Sequence, residues 1–193
     1  MQIYKTLNQI TEIITGYTFR EAIHGEPNSA LLVLQAKNLK DDMFIDDLVL
    51  TKTNIVTSHT KAFAQTGDVA IGSRGVFRAG VIKSDKQILA ASSVYLLRIN
   101  DKSSVLPEYL ATYLNSISGQ RNLSQFLTSG TIRTLLRKDL ENIRIPVPPF
   151  EKQKQIIGLD QNIREQTALL NRKITAQKNI VGGILNQLER SPS

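Results

Sequence analysis

Residues 143–190 read IRIPVPPFEKQKQIIGLDQNIREQTALLNRKITAQKNIVGGILNQLER, and two unlike kinds of sequence meet inside them. Ile143, Ile145 and Val147 alternate as in a short strand. Pro146, Pro148 and Pro149 then block both a continuing ladder and a helix. From Phe150 onward there is no proline until Pro192, and apolar residues recur every seven positions. Ile156, Ile163, Leu170, Gln177 and Ile184 form one core position of a coiled-coil seam. Asp160, Thr167, Ile174, Val181 and Leu188, four residues further on, form the other. Roughly forty helical residues rise about 60 Å, more than a small domain needs to cover its own core, so the helix requires a partner. Gln177 is expected to set the register and Asp160 to make a local contact with its own domain. Gly182 and Gly183 weaken the helix by about 1 kcal/mol each relative to Ala. They leave either a frayed last turn or room for another backbone.

Outward from this joint, residues 1–149 form one domain and 150–190 a separate helical segment. In the first, Leu31 to Ala36, Asp68 to Ser73, Val76 to Lys83 and Ile88 to Ile99 read as strands, with Gly67-Asp68 and Gly72 to Gly75 as tight turns between them. Pro107 opens a helix with Leu110, Tyr113, Leu114 and Ile117 on one face and Gly119 as its stop. The fold class is mixed α/β (α+β) with no clean βαβ repeat, followed by one long coiled-coil helix.

The charge is +7 over 193 residues, and its placement says more than its total. Residues 1–60 hold five Lys/Arg against seven Asp/Glu, whereas residues 61–138 hold eleven against four. A polyanion would dock on the middle of the chain, although scattered basic residues also serve simply to solubilise a surface. Cysteine is absent, which removes disulfides and thiolate metal sites and fits the cytoplasm. His24 and His59 have no matching ligands, so no metal is expected. The N-terminus is too polar for a signal peptide, and no window reaches the roughly 18 apolar residues of a membrane span. Residues 72–80, GSRGVFRAG, lack the Gly-Lys-Ser/Thr ending of a phosphate loop. Val147-Pro148-Pro149-Phe150 is a near miss to the Asn-Pro-Pro-Tyr/Phe motif of adenine methyltransferases. Its valine cannot bond a base amino group as Asn does. No catalytic residues and no cofactor are therefore expected.

The joint carries a resemblance. Ser129-Gly130-Thr131, the Leu-rich stretch Leu135 to Leu140, the Ile-x-Ile-Pro-x-Pro-Pro run from Ile143 to Pro149, and the helix start Glu151, Lys152, Gln153 with Ile156 and Ile157 follow in that order. They resemble the end of a target-recognition domain entering the long helix of type I restriction-modification specificity subunits. Gly67 to Gly75 resembles that family's Gly-Asp-hydrophobic strand and turn, and Thr15 to Arg20 its N-terminal Gly-x-Thr turn. The resemblance implies a non-catalytic subunit that reads double-stranded DNA. It also implies methyltransferase subunits that modify adenine with S-adenosylmethionine, and a motor-nuclease subunit that joins with ATP. Full subunits of the family resemble two such units in tandem, and one is found here. Either two copies pair their helices antiparallel as a homodimer reading an inverted repeat, or the chain is a piece of a longer subunit.

Base reading needs Arg, Asn or Gln at base edges, with other polar and basic groups on phosphates. The candidates are Arg20, His59, Lys61, Ser73, Arg74, Arg78, Lys83, Lys86, Thr131 and Arg133, most of them on expected turns. Dimerisation is expected through Ile156, Ile163, Leu170, Ile174, Gln177, Val181, Ile184 and Leu188, with methyltransferase docking on Lys154, Arg164 and Lys178. The competing function is an oligomerising scaffold whose domain binds protein; steep salt dependence of DNA binding discriminates the two.

Overall fold

The computed structural model describes residues 3–55, 60–75, 77–100, 105–127 and 133–190. In chain order the elements are β1 (Tyr4–Thr6), α1 (Leu7–Ile10), β2 (Thr11–Thr15), β3 (Leu32–Leu34), β4 (Thr51–Lys52), β5 (Val69–Gly72), β6 (Ala79–Val81), β7 (Ile88–Ala90), β8 (Val94–Ile99), α2 (Pro107–Asn115), α3 (Ile117–Ser124), α4 (Arg137–Glu141), β9 (Arg144–Pro146) and α5 (Phe150–Arg190). The class is mixed α/β with a long C-terminal helix. By packing, the chain falls into two compact units, residues 1–157 and 158–193.

The first unit is built on a four-stranded antiparallel sheet in the order β2-β8-β5-β6. One face carries Ile13, Val69, Ile71, Leu97 and Ile99 and packs on the helices through Leu110, Leu114, Leu123 and Leu140. The other carries Ile14, Ala70, Val94 and Leu96 and packs on Leu32, Leu34 and Ile88. These last belong to a three-stranded sheet, β4-β3-β7, in which β3 and β7 run parallel. Because both faces of the central sheet are covered, its strands carry consecutive apolar residues, Ile13-Ile14, Val69 to Ile71 and Leu96-Leu97, instead of alternating with polar ones.

The four expected strands appear with altered bounds, and Val76 lies outside the described residues. The run from Ile88 to Ile99 is two strands in two sheets. It breaks at Ala91–Ser93, where Val94 N–H donates to the Ala91 carbonyl at 2.8 Å and Ser92 N–H to that of Tyr17 at 2.7 Å. Alternation fails to signal β2 for the reason just given: Ile13 and Ile14 face the two different cores. The helix begun by Pro107 stops at Ser116, not Gly119. The Ser116 hydroxyl accepts from Gly119 N–H at 3.1 Å and so starts α3. Ile117 consequently points to solvent, 82% exposed, instead of joining the buried face. The edge strand β6 is covered by the last residue of α2: the Asn115 amide accepts from Ala79 N–H at 2.9 Å and donates to its carbonyl at 2.7 Å.

The proline joint becomes β9, paired antiparallel with β1. Tyr109 donates to the Pro146 carbonyl at 2.7 Å, and burial pushes its phenol up to about 12. Gln153, fully buried, accepts from Leu106 N–H at 2.9 Å and donates to the Pro148 carbonyl at 2.9 Å. That pair of bonds is the physical content of the glutamine in the helix-start motif: it fixes the first turns of α5 to the domain. Ile156 and Ile157 pack on the same core, so Ile156 is not on an open seam. Beyond them α5 continues without interruption through Gly182 and Gly183. Asp160 pairs within the helix with Arg164 at 2.8 Å.

Candidate nucleic-acid interface

Antiparallel pairing sorts the loops to two ends of the central sheet. At one end lie the C-termini of β2 and β5 and the N-termini of β6 and β8, since Thr15 pairs with Tyr95, Gly72 with Val94 and Ile71 with Ala79. At the other, Thr11 pairs with Ile99 and Val69 with Val81 and Leu97.

The first end is stitched by backbone bonds from one loop to the next. Tyr17 N–H donates to the Ala90 carbonyl at 2.7 Å, Ser73 N–H to that of Ser93 at 2.8 Å, Leu135 N–H to that of Ser73 at 2.9 Å and Gly75 N–H to that of Arg133 at 3.1 Å. Gly16 lies so close to the β7–β8 connection that a Cβ there would sit 2.0 Å from the Ala91 oxygen. Gly75 takes a φ of 71°, a left-handed conformation that its lack of a Cβ permits. The glycines of both turn motifs therefore shape this end.

Arg20, Lys61, Arg74 and Arg133 stand exposed here. Arg74 bridges Thr134, which brings it beside Arg133, and Lys61 borders a cleft with Thr15, Tyr17 and Thr18. Arg78 lies at the same end, 3.7 Å from Asp41. Ser73 is buried and donates to the Ser92 carbonyl at 3.0 Å; it holds the turn from beneath.

Lys83 and Lys86 follow β6 and lie at the opposite end. Lys83 sits 4.5 Å over the Phe44 ring, and Lys86 pairs with Asp47 at 3.1 Å. The Ser84 hydroxyl, then Lys86, hold the Asp47 carboxyl below its usual range. His59 and Thr131 lie outside the described residues.

Two basic residues that the sequence does not single out join the first end. Lys37 is exposed on the turn after β3, where Ala36 N–H donates to the Ser93 hydroxyl at 3.1 Å. Arg137 opens α4 and pairs with Glu141 at 2.9 Å. It lies near Tyr95, whose phenol burial pushes up while Arg74 and Arg137 partly oppose the rise. Lys37 carries the signal that flags Lys83, a basic residue on a turn bounding a strand, but that signal does not say which end of the sheet the turn occupies. Asp68 serves structure. Almost wholly buried, it accepts Arg98 Nε at 3.0 Å and Nη2 at 2.8 Å, and its bond raises the Arg98 guanidinium above its usual value.

Among the described residues no cluster of three or more His, Cys, Asp or Glu is placed to hold a metal ion, and no helix is long and apolar enough to cross a membrane. Along α5, Ile163, Leu170, Ile174, Val181 and Ile184 are exposed, as is Gln177. The side chain of Leu188 lies outside the described residues.

Solved structures give the class first. The crystal structure of the HsdS subunit from Thermoanaerobacter tengcongensis matches with a TM-score of 0.62 at 22% identity, over 89% of this chain and 39% of that one. A chain from a study of complex assembly and conformational transition of the type I R-M system matches with a TM-score of 0.69 at 22% identity, over 95% and 43%. The S subunit of the type I restriction-modification system of M. genitalium matches at 0.59 and 14% identity, over 92% and 44%. At such identities the likeness establishes the fold.

The family follows from sequence. Residues 3–177 match the model of the type I restriction modification DNA specificity domain, and the chain belongs to that family. The MjaVIII type I restriction enzyme specificity subunit of Methanocaldococcus jannaschii is 20% identical over 161 residues, 80% of this chain and 34% of the relative. The chain thus spans between a third and a half of the length of these relatives.

Proposed function

We propose that the β2/β5 end of the central sheet is the DNA face, and that two copies joined through α5 read two inverted copies of one short sequence across a fixed gap. The observation that carries the reading is the gathering of exposed Arg20, Lys61, Arg74 and Arg133, with Lys37 and Arg137, at one end of one sheet. Guanidinium groups serve both phosphates and guanine edges, and a rim of turns pinned by backbone bonds holds them in register. Pairing of copies rests on the exposed apolar positions Ile163, Leu170, Ile174, Val181 and Ile184. An antiparallel pair of such helices is a closed two-fold contact, and its length sets the gap. Methyltransferase subunits dock on the helix pair through Lys154, Arg164 and Lys178 and modify adenine. A motor-nuclease subunit joins for restriction, all in the cytoplasm.

Selection from a randomised duplex library tests this, with the chain alone and with the methyltransferase subunit encoded beside it. An inverted repeat with fixed spacing is expected. Retention without sequence preference, or no retention in the mixed sample, supports the protein-binding scaffold instead.

A further inference from the structure

Beside the Gly16 turn a cleft of about 310 Å³ is lined by Tyr17, Phe19, Arg20, Glu21, Glu26 and Asn54 among others; it runs from Tyr17, at the β2/β5 end of the central sheet, to Glu26 and Asn54 beside the C-terminus of β4. Tyr17 and Phe19 pack edge to face, ring centres 4.9 Å apart and planes at 90°, which gives the cleft an apolar wall. The chain that forms it is pinned on both sides. Tyr17 N–H donates to the Ala90 carbonyl at 2.7 Å, Glu26 N–H to that of Lys52 at 2.9 Å, and the Ser29 hydroxyl to that of Thr53. Glu26 therefore stands at a fixed place in the fold. Two carboxylates against one guanidinium make the lining unfavourable for phosphate, so carboxylates bordering a DNA face must accept from groups that carry N–H. In the major groove those groups are the exocyclic amines of cytosine and adenine. A carboxylate pairs with cytosine N4, while Arg takes guanine O6 and N7.

We infer that this cleft reads one G·C pair of the target, Arg20 donating to the guanine and Glu26 accepting from the cytosine amino group. Glu26 is thus a specificity-determining residue that the excess of basic side chains conceals. The inference rests on the reading that this end of the sheet faces DNA. It identifies one position of the half-site that is G·C and, through the two unlike side chains, the strand on which the guanine lies.

The test repeats the library selection with Glu26→Ala, Glu26→Gln and Arg20→Ala, each first shown to melt as the parent does. Duplexes that differ only at the affected pair are then titrated. Glu26→Ala and Arg20→Ala are expected to relax the same single G·C position by about tenfold each, leaving the other positions unchanged. Glu26→Gln, which keeps the size of the side chain, covers the case in which the alanine variant fails to fold; it too should relax that position alone. Unchanged preferences at every position, or a uniform loss of affinity, overturn the assignment. A parent chain that selects no sequence overturns the DNA reading itself, a result distinguishable from the first.

Discussion

Asp68 and Arg98 show how a residue that looks functional can be structural. The Gly-Asp motif at Gly67-Asp68 opens β5, and the Asp68 carboxylate accepts both Arg98 nitrogens and Gln65 N–H at 2.8 Å. Arg98 also donates to the Phe63 carbonyl at 3.3 Å. The pair thereby ties β8 to the loop before β5, at the end of the sheet away from the basic rim. Removing one partner of a buried ion pair leaves the other desolvated, which costs far more than a surface pair. Arg98→Ala should lower stability by about 3 kcal/mol in urea unfolding, while any DNA that still binds is read with unchanged preference. A cost below about 0.5 kcal/mol, the scale of an exposed pair, contradicts this account. Arg98 and Lys86 both fall in the basic stretch 61–138, and sequence alone does not tell that they are already engaged. Each has its acidic partner far off in the chain, Asp68 for the one and Asp47 for the other.

At the scale of elements, periodicity is informative wherever an element has one wet face and uninformative wherever it has none. The seven-residue repeat locates α5 because most of its residues are exposed, and the proline run locates its start. The repeat extends one position too far back: Ile156 lies on the domain core because Gln153 anchors the first turns there. β2 is invisible to it because Ile13 and Ile14 serve two cores. The break inside Ile88 to Ile99 is invisible because the strand on either side of Ala91–Ser93 is equally apolar. Leu170 is 60% exposed and Ile174 48%, so replacing both should spare the fold and disrupt only an intermolecular seam. Leu170→Glu with Ile174→Glu is expected to turn a dimer into a monomer in sedimentation equilibrium at unchanged thermal stability. A dimer that persists refutes pairing through this seam.

In the whole molecule, the candidate site is legible from sequence as a set of residue types and not as a place. The chain's positive surplus and its glycine turns point to the segments that supply the candidate face, but sequence order puts Arg78 next to Lys83 while the β6 strand sends them to opposite ends of the sheet. Only the pairing register separates them, and the same register gathers Arg20, from the acidic first third of the chain, with Arg133 from near its joint.

The measurement that most directly tests the DNA face is a comparison of two double variants in DNA titrations across a range of salt. Arg74→Ala with Arg133→Ala should weaken binding and lower the salt slope by about one for each phosphate that is no longer neutralised. Lys83→Ala with Lys86→Ala should leave both affinity and slope close to those of the parent. The reverse pattern would place the DNA at the other end of the sheet and contradict the account.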